Sequence, residues 1–91
     1  MYQCTSDPQH GWLRVKREEL KELGIASQIS SCSYENGNWV YLEIDCDVIK
    51  FLEAKTQSTD PHILRDWFQA NVKDRHVERT VIRTYAPYSS T

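Results

Sequence analysis

Ser30-Ser31-Cys32-Ser33-Tyr34-Glu35-Asn36-Gly37-Asn38-Trp39-Val40-Tyr41-Leu42-Glu43-Ile44 reads as two antiparallel strands joined by a tight turn, and the rest of the chain is organised around it. Asn-Gly is the preferred pair for a type I′ turn, because both central residues need positive φ and neither pays much for it. A two-residue loop at Asn36-Gly37 then sets the register. It predicts Tyr34 opposite Trp39, Cys32 opposite Tyr41 and Ser30 opposite Glu43 on one face, with Ile29, Val40, Leu42 and Ile44 on the other. One face is aliphatic, so it belongs against a core. The other carries rings and a polar end.

A chain of 91 residues supports one domain with a single modest core. Its 40% apolar and 26% charged content is that of a folded globule. Eleven basic and thirteen acidic residues give a formal charge of −2, so no global positive field draws the chain to phosphate backbones or anionic lipid. The charge is uneven, however. Glu35, Glu43, Asp45, Asp47 and Glu53 face only Lys50 in the middle of the chain, whereas Lys73, Arg75, Arg79 and Arg83 outnumber Asp74 and Glu78 near its end. Cys4, Cys32 and Cys46 are an odd number at wide spacing, which suits a reducing cytoplasm. No apolar leader or membrane-length stretch is present, so a soluble cytoplasmic protein is expected.

Upstream of the hairpin, Met1 to Ser6 reads as a short strand ending at Asp7-Pro8, and Trp12 to Lys16 alternates as a half-buried strand that would pair with it. Arg17 to Leu23 reads as a short helix with Glu18 and Glu19 in its first turn, and Gly24 fits a left-handed stop. Downstream, Asp45 or Asp47 would cap a helix over Val48 to Lys55, with Val48, Ile49, Phe51 and Leu52 inward. Asp60-Pro61 starts the longest helix, running to about Lys73 with Ile63, Leu64, Trp67 and Phe68 at helical spacing. Arg79 to Tyr85 alternates and is β-branched, which predicts a last strand ended by Pro87. The fold class is α+β: one antiparallel sheet of four to five strands around the hairpin, with two to three helices, the later two on the aliphatic face.

Chemistry is thinly signalled. Structural zinc sites use close ligand pairs, and the cysteines and histidines are too scattered to form them, so no metal or cofactor is expected. Asp45-Cys46-Asp47 is the one cluster with the composition of a small catalytic or metal-holding site, and helix capping accounts for its aspartates more simply. The three glycines are each placed by a turn or a cap, leaving no phosphate-cradling loop. No catalytic residues are assigned, and the chain is expected to be a binding protein rather than an enzyme.

Two binding surfaces follow from composition. Tyr34, Trp39 and Tyr41, bordered by Glu35, Glu43 and Asp45, make a ring-bearing surface with an acidic rim of the kind that receives a basic protein partner. A second copy of the chain, pairing through an open sheet edge, is a further candidate partner. The alternative is nucleic acid, held by Lys73, Arg75, Arg79 and Arg83 beside Tyr85 and Tyr88.

Between residues 10 and 55 the chain also shows Gly11-Trp12-Leu13-x-Val15, Leu20-x-x-Leu23-Gly24-Ile25, Ile29-Ser30, Ser33-Tyr34, Gly37 and Val40-Tyr41-Leu42-Glu43-x-Asp45-Cys46-Asp47. This string resembles a group of short bacterial and phage proteins with no established activity. The resemblance implies a bacterial or phage setting and, by analogy, an accessory or inhibitory role such as countering a host defence system.

Overall fold

In the computed structural model, residues 1–89 are described, and they form an α+β fold of six strands and three helices. The strands are β1 (Tyr2–Ser6), β2 (Gly11–Lys16), β3 (Tyr34–Asn36), β4 (Trp39–Glu43), β5 (Val72–His76) and β6 (Ala86–Pro87). The helices are α1 (Arg17–Glu22), α2 (Val48–Thr56) and α3 (Pro61–Asn71), with short 3₁₀ turns at Ala26–Gln28 and Val81–Thr84. The sheet order is β5-β1-β2-β4-β3-β6, antiparallel except for the parallel pair β1 and β5. Among the described residues, no helix is long and apolar enough to cross a membrane.

The hairpin forms, but its pairing differs from the Asn36-Gly37 expectation. Tyr34 lies opposite Tyr41 and Asn36 opposite Trp39, so the turn is centred on Gly37 and Asn38. Gly37 has φ +62° and Asn38 is not left-handed, which is the pattern of a type II′ turn with glycine at its first central position. The displacement is by two residues, an even number, so each side chain keeps the face the alternation gave it. Val40 and Leu42 are fully buried on the helix side, and Tyr34, Trp39 and Tyr41 share the opposite side. Ser30 and Cys32 lie before β3 and take no part in the ladder.

The helix side is closed as expected. Leu13, Val15, Val40 and Leu42 from the sheet meet Leu20, Phe51, Leu52 and Leu64 from the helices in one cluster. Val48, Phe51 and Leu52 stand at i, i+3 and i+4, which directs them inward together. Ile49 falls off that stripe and is exposed, against the inward assignment above. Tyr2, Phe51 and Trp67 form a ring cluster with centroids 5.4–6.1 Å apart, fastening α2 and α3 to β1. Gly24, at φ +73°, stops α1 as predicted and lets the Ile25 amide reach back to the Leu20 carbonyl. Asp60 caps α3 through the His62 amide at 2.9 Å.

Two later elements overturn the sequence reading. Helix α3 ends at Asn71, and Val72–His76 becomes an edge strand alongside β1. Arg79 to Tyr85 is then no strand. Thr80 accepts from the Ile82 amide at 3.1 Å to start the 3₁₀ turn Val81–Thr84, and Ile82 is buried against the sheet. Pro87 does not end a ladder but pairs with Tyr34 at the far edge, as a residue that donates no hydrogen bond can. The segment from Val77 to Tyr85 is therefore a strap. It leaves β5 at one edge, crosses the helix-free face near the β1–β2 turn and reaches β6 at the other.

Candidate functional site

The helix-free face is best described by its rows of side chains. Strand pairing aligns Lys73 (β5), Gln3 (β1), Arg14 (β2), Tyr41 (β4) and Tyr34 (β3) across the sheet. One row towards the strap come Arg75, Thr5, Trp12 and Glu43; one row away come Lys16, Trp39 and Asn36. Neighbouring strands are about 4.8 Å apart, so each row is a continuous line of contacts.

Trp39 is half-buried, with the Arg14 guanidinium 4.1 Å from its ring centroid and the Lys16 ammonium at 5.9 Å. A cation over the negative face of an indole holds both groups in place without neutralising the charge. Tyr41 lies beside Tyr85 of the strap, with ring centroids 5.2 Å apart. Burial, with Tyr85 next to it, pushes the Tyr41 hydroxyl up in pKa against the opposing pull of Arg14, so Tyr41 is a neutral ring with a hydrogen-bonding tip. Trp12 is sealed under the strap and edge-on to Tyr34, and among the described residues its indole nitrogen has no hydrogen-bond partner.

Between this floor and the strap lies a cleft of about 270 Å³, lined by Gln3, Thr5, Arg14, Tyr41, Arg75 and Arg79 among others. Among the described residues, no carboxylate lines it. Among the described residues, no ion pair engages Arg14, Lys16, Lys73, Arg75 or Arg79.

The ring-bearing face of the hairpin is thus present, but the acidic rim expected around it is not gathered there. Glu35 points to the helix side, where it meets Arg17 at 3.5 Å and accepts from the Ser89 amide. Glu43 is on the ring-bearing face but faces His10 at 3.7 Å at the strap end. Asp45 is exposed beyond the end of β4. The basic set is brought together in part. Lys73, Arg75 and Arg79 share this face with the cleft, whereas Arg83 is taken up by a two-pronged pair with Asp7 at 2.9–3.0 Å that pins the strap to the β1–β2 turn. Arg83 holds the Asp7 carboxyl well below the usual range.

Arg14 and Lys16 were missing from the sequence-based site, whereas Tyr85 had been set beside its basic residues. The charged alternation of β2 was visible, but its placement beside Trp39 and Tyr41 depends on the β2–β4 register, between residues that the sequence separates widely.

Asp45-Cys46-Asp47 resolves into a structural device. Asp47 is fully buried and caps nothing with its side chain. Its carboxylate turns back to accept from the Ser33 hydroxyl at 2.5 Å, from the Ser30 hydroxyl and amide at 2.9–3.2 Å, and from Lys50 at 2.9 Å. Cys46 is half-buried beside the Ser30 hydroxyl. Cys4 is buried, and that burial, with Asp74 beside it, pushes its thiol up to about 12, so it is inert. Among the described residues, no three His, Cys, Asp or Glu side chains gather as a metal site would require.

Family models, curated proteins and solved structures give no match to this chain. The face itself therefore carries the functional reading.

Proposed function

We propose that this chain is a non-catalytic binding module that holds single-stranded nucleic acid on its helix-free sheet face. One observation carries the reading: Arg14, Lys16, Lys73, Arg75 and Arg79, none ion-paired among the described residues, share one face with the rings of Trp39, Tyr41 and Tyr85. Cations track a phosphate backbone while accessible rings stack on unpaired bases, and both parts of that recognition are needed for a single strand. The overall charge of −2 does not oppose this, because Asp7, Glu35 and Asp47 are engaged with Arg83, Arg17 and Lys50, and Glu43 faces His10 at the strap end. Three free thiols suit a cytoplasmic setting, and the sequence resemblance adds a bacterial or phage one.

A protein partner is the second reading, favoured by Tyr34, Trp39 and Tyr41 lying together on a face no helix covers. With Arg14 and Lys16 flanking the rings, such a partner would present acidic groups.

Fluorescence anisotropy with labelled single-stranded DNA and RNA at low ionic strength decides the matter. The expected result is binding that falls with salt at a log–log slope of about −2 to −3, as about three to four neutralised phosphates require. Retention of neither DNA nor RNA at low salt would exclude nucleic acid and leave the acidic protein partner.

A further inference from the structure

The cleft between the sheet and the strap differs from the rest of the face in charge density and in shape. Arg14 comes from its floor, Arg75 from the edge strand and Arg79 from the strap, so three arginines from three separate segments line one space of about 270 Å³. The Gln3 and Thr5 side chains also line it, and neither has a hydrogen-bond partner among the described residues. Tyr41 and Tyr85 close one end with their paired rings.

An internal phosphodiester carries one negative charge and needs a groove through which the chain enters and leaves. A phosphate monoester carries about −1.5 to −2 at neutral pH and offers three strong acceptor oxygens. Planar guanidinium forks suit that pattern of acceptors, and three arginines in a cleft whose described lining holds no carboxylate overcompensate a monoanion. The strap blocks passage along one side.

We propose that this cleft is a subsite for a phosphate monoester, namely the terminal phosphate of a bound strand, with Arg14, Arg75 and Arg79 as its ligands and Tyr41 or Tyr85 stacking on the terminal base. The inference rests on the nucleic-acid reading above and narrows it from any single strand to one with a phosphorylated end.

The test compares single-stranded 12-mers carrying a 5′-phosphate, a 3′-phosphate or hydroxyls at both ends, with adenosine monophosphate, adenosine and inorganic phosphate titrated separately. One phosphorylated oligonucleotide is expected to bind about tenfold more tightly than the hydroxyl-ended one. Inorganic phosphate should erase that preference, and Arg79→Gln should weaken the phosphorylated oligonucleotide by more than the hydroxyl-ended one, so that the ratio of their affinities falls towards one. Equal affinity for all three oligonucleotides overturns the terminal subsite and leaves the face-binding reading intact. Failure of every oligonucleotide to bind overturns that reading instead, and the monophosphate then reports on the cleft alone. Adenosine monophosphate binding where adenosine does not supports a monoester site, and indifference to both removes it.

Discussion

Replacing Asp47 with alanine is expected to cost about 3–5 kcal/mol, most of the stability of a domain this size, for which about 5–15 kcal/mol is usual. The carboxylate is fully buried and receives Ser33, Ser30 and Lys50, and Ser33, itself fully buried, also accepts from the Glu43 amide at 3.0 Å. One side chain thus ties the loop before β3, the end of β4 and the first turn of α2. Alanine leaves the Ser33 hydroxyl without its acceptor inside the fold, at roughly 1–3 kcal/mol, and takes the same acceptor from the part-buried Ser30 hydroxyl and amide. Lys50→Ala removes the counterion of the buried carboxylate but leaves its serine donors, and should cost about 1–3 kcal/mol, less than Asp47→Ala.

The pH dependence of the same site has a definite sign. Burial alone would raise the Asp47 pKa, but the hydrogen bonds from Ser33, Lys50 and Ser30 outweigh it and hold the group below its ordinary value. The folded state therefore resists a proton that the unfolded chain accepts. This contribution is fully present above the unfolded carboxylate value of about 3.9 and is lost as pH falls through the lower folded value. Thermal melts should show Asp47→Ala lowered by more than about 10 °C at neutral pH, with a shallower acid limb than the parent. A variant melting within a degree or two of the parent would mean that the network holds nothing together.

The second large effect concerns binding. Arg75→Glu combined with Arg79→Glu should weaken single-strand affinity roughly a hundredfold at low salt, since each attraction lost and each repulsion gained is worth on the order of 1 kcal/mol before screening. Both side chains are exposed, so stability should change by less than about 0.5 kcal/mol. Lys21→Glu with Arg65→Glu makes the same change in net charge on α1 and α3, away from the cleft, and should move affinity less than about twofold. Equal losses in the two double variants would show that net charge rather than this face governs binding.

What could be read from the sequence follows how local each determinant is. The hairpin, the β1–β2 pair, the Gly24 stop and the Asp60 cap are set by residues a few positions apart, and all are present. The hairpin turn slipped because Asn36-Gly37-Asn38 offers more than one two-residue loop, but an even slip keeps the faces. Strand β5 was illegible: Lys73-Asp74-Arg75-His76 has no apolar alternation, and Val72 completes the helical spacing of α3, so only pairing with β1 makes it a strand. The strap failed in the opposite sense. Its alternation promised a strand, yet the edges of the sheet were taken by β5 and β6, and Ile82 found burial over the face instead.

The site was half legible for the same reason. Tyr34, Trp39 and Tyr41 were placed on one face by alternation alone, while the charge of their surroundings depended on β2 lying next to β4, which exchanged the expected acids for Arg14 and Lys16. Arg83 looked like its neighbours in composition and was removed from the set by Asp7, a partner far away in sequence.

The central claim is that the helix-free face receives the strand, and heteronuclear NMR of the labelled protein titrated with a single-stranded oligonucleotide tests it most directly. The account predicts shifts at the Trp39 indole, Arg14, Tyr41 and Arg75, with α2 and α3 unmoved. Shifts confined to those helices, or none under low-salt conditions, would contradict it.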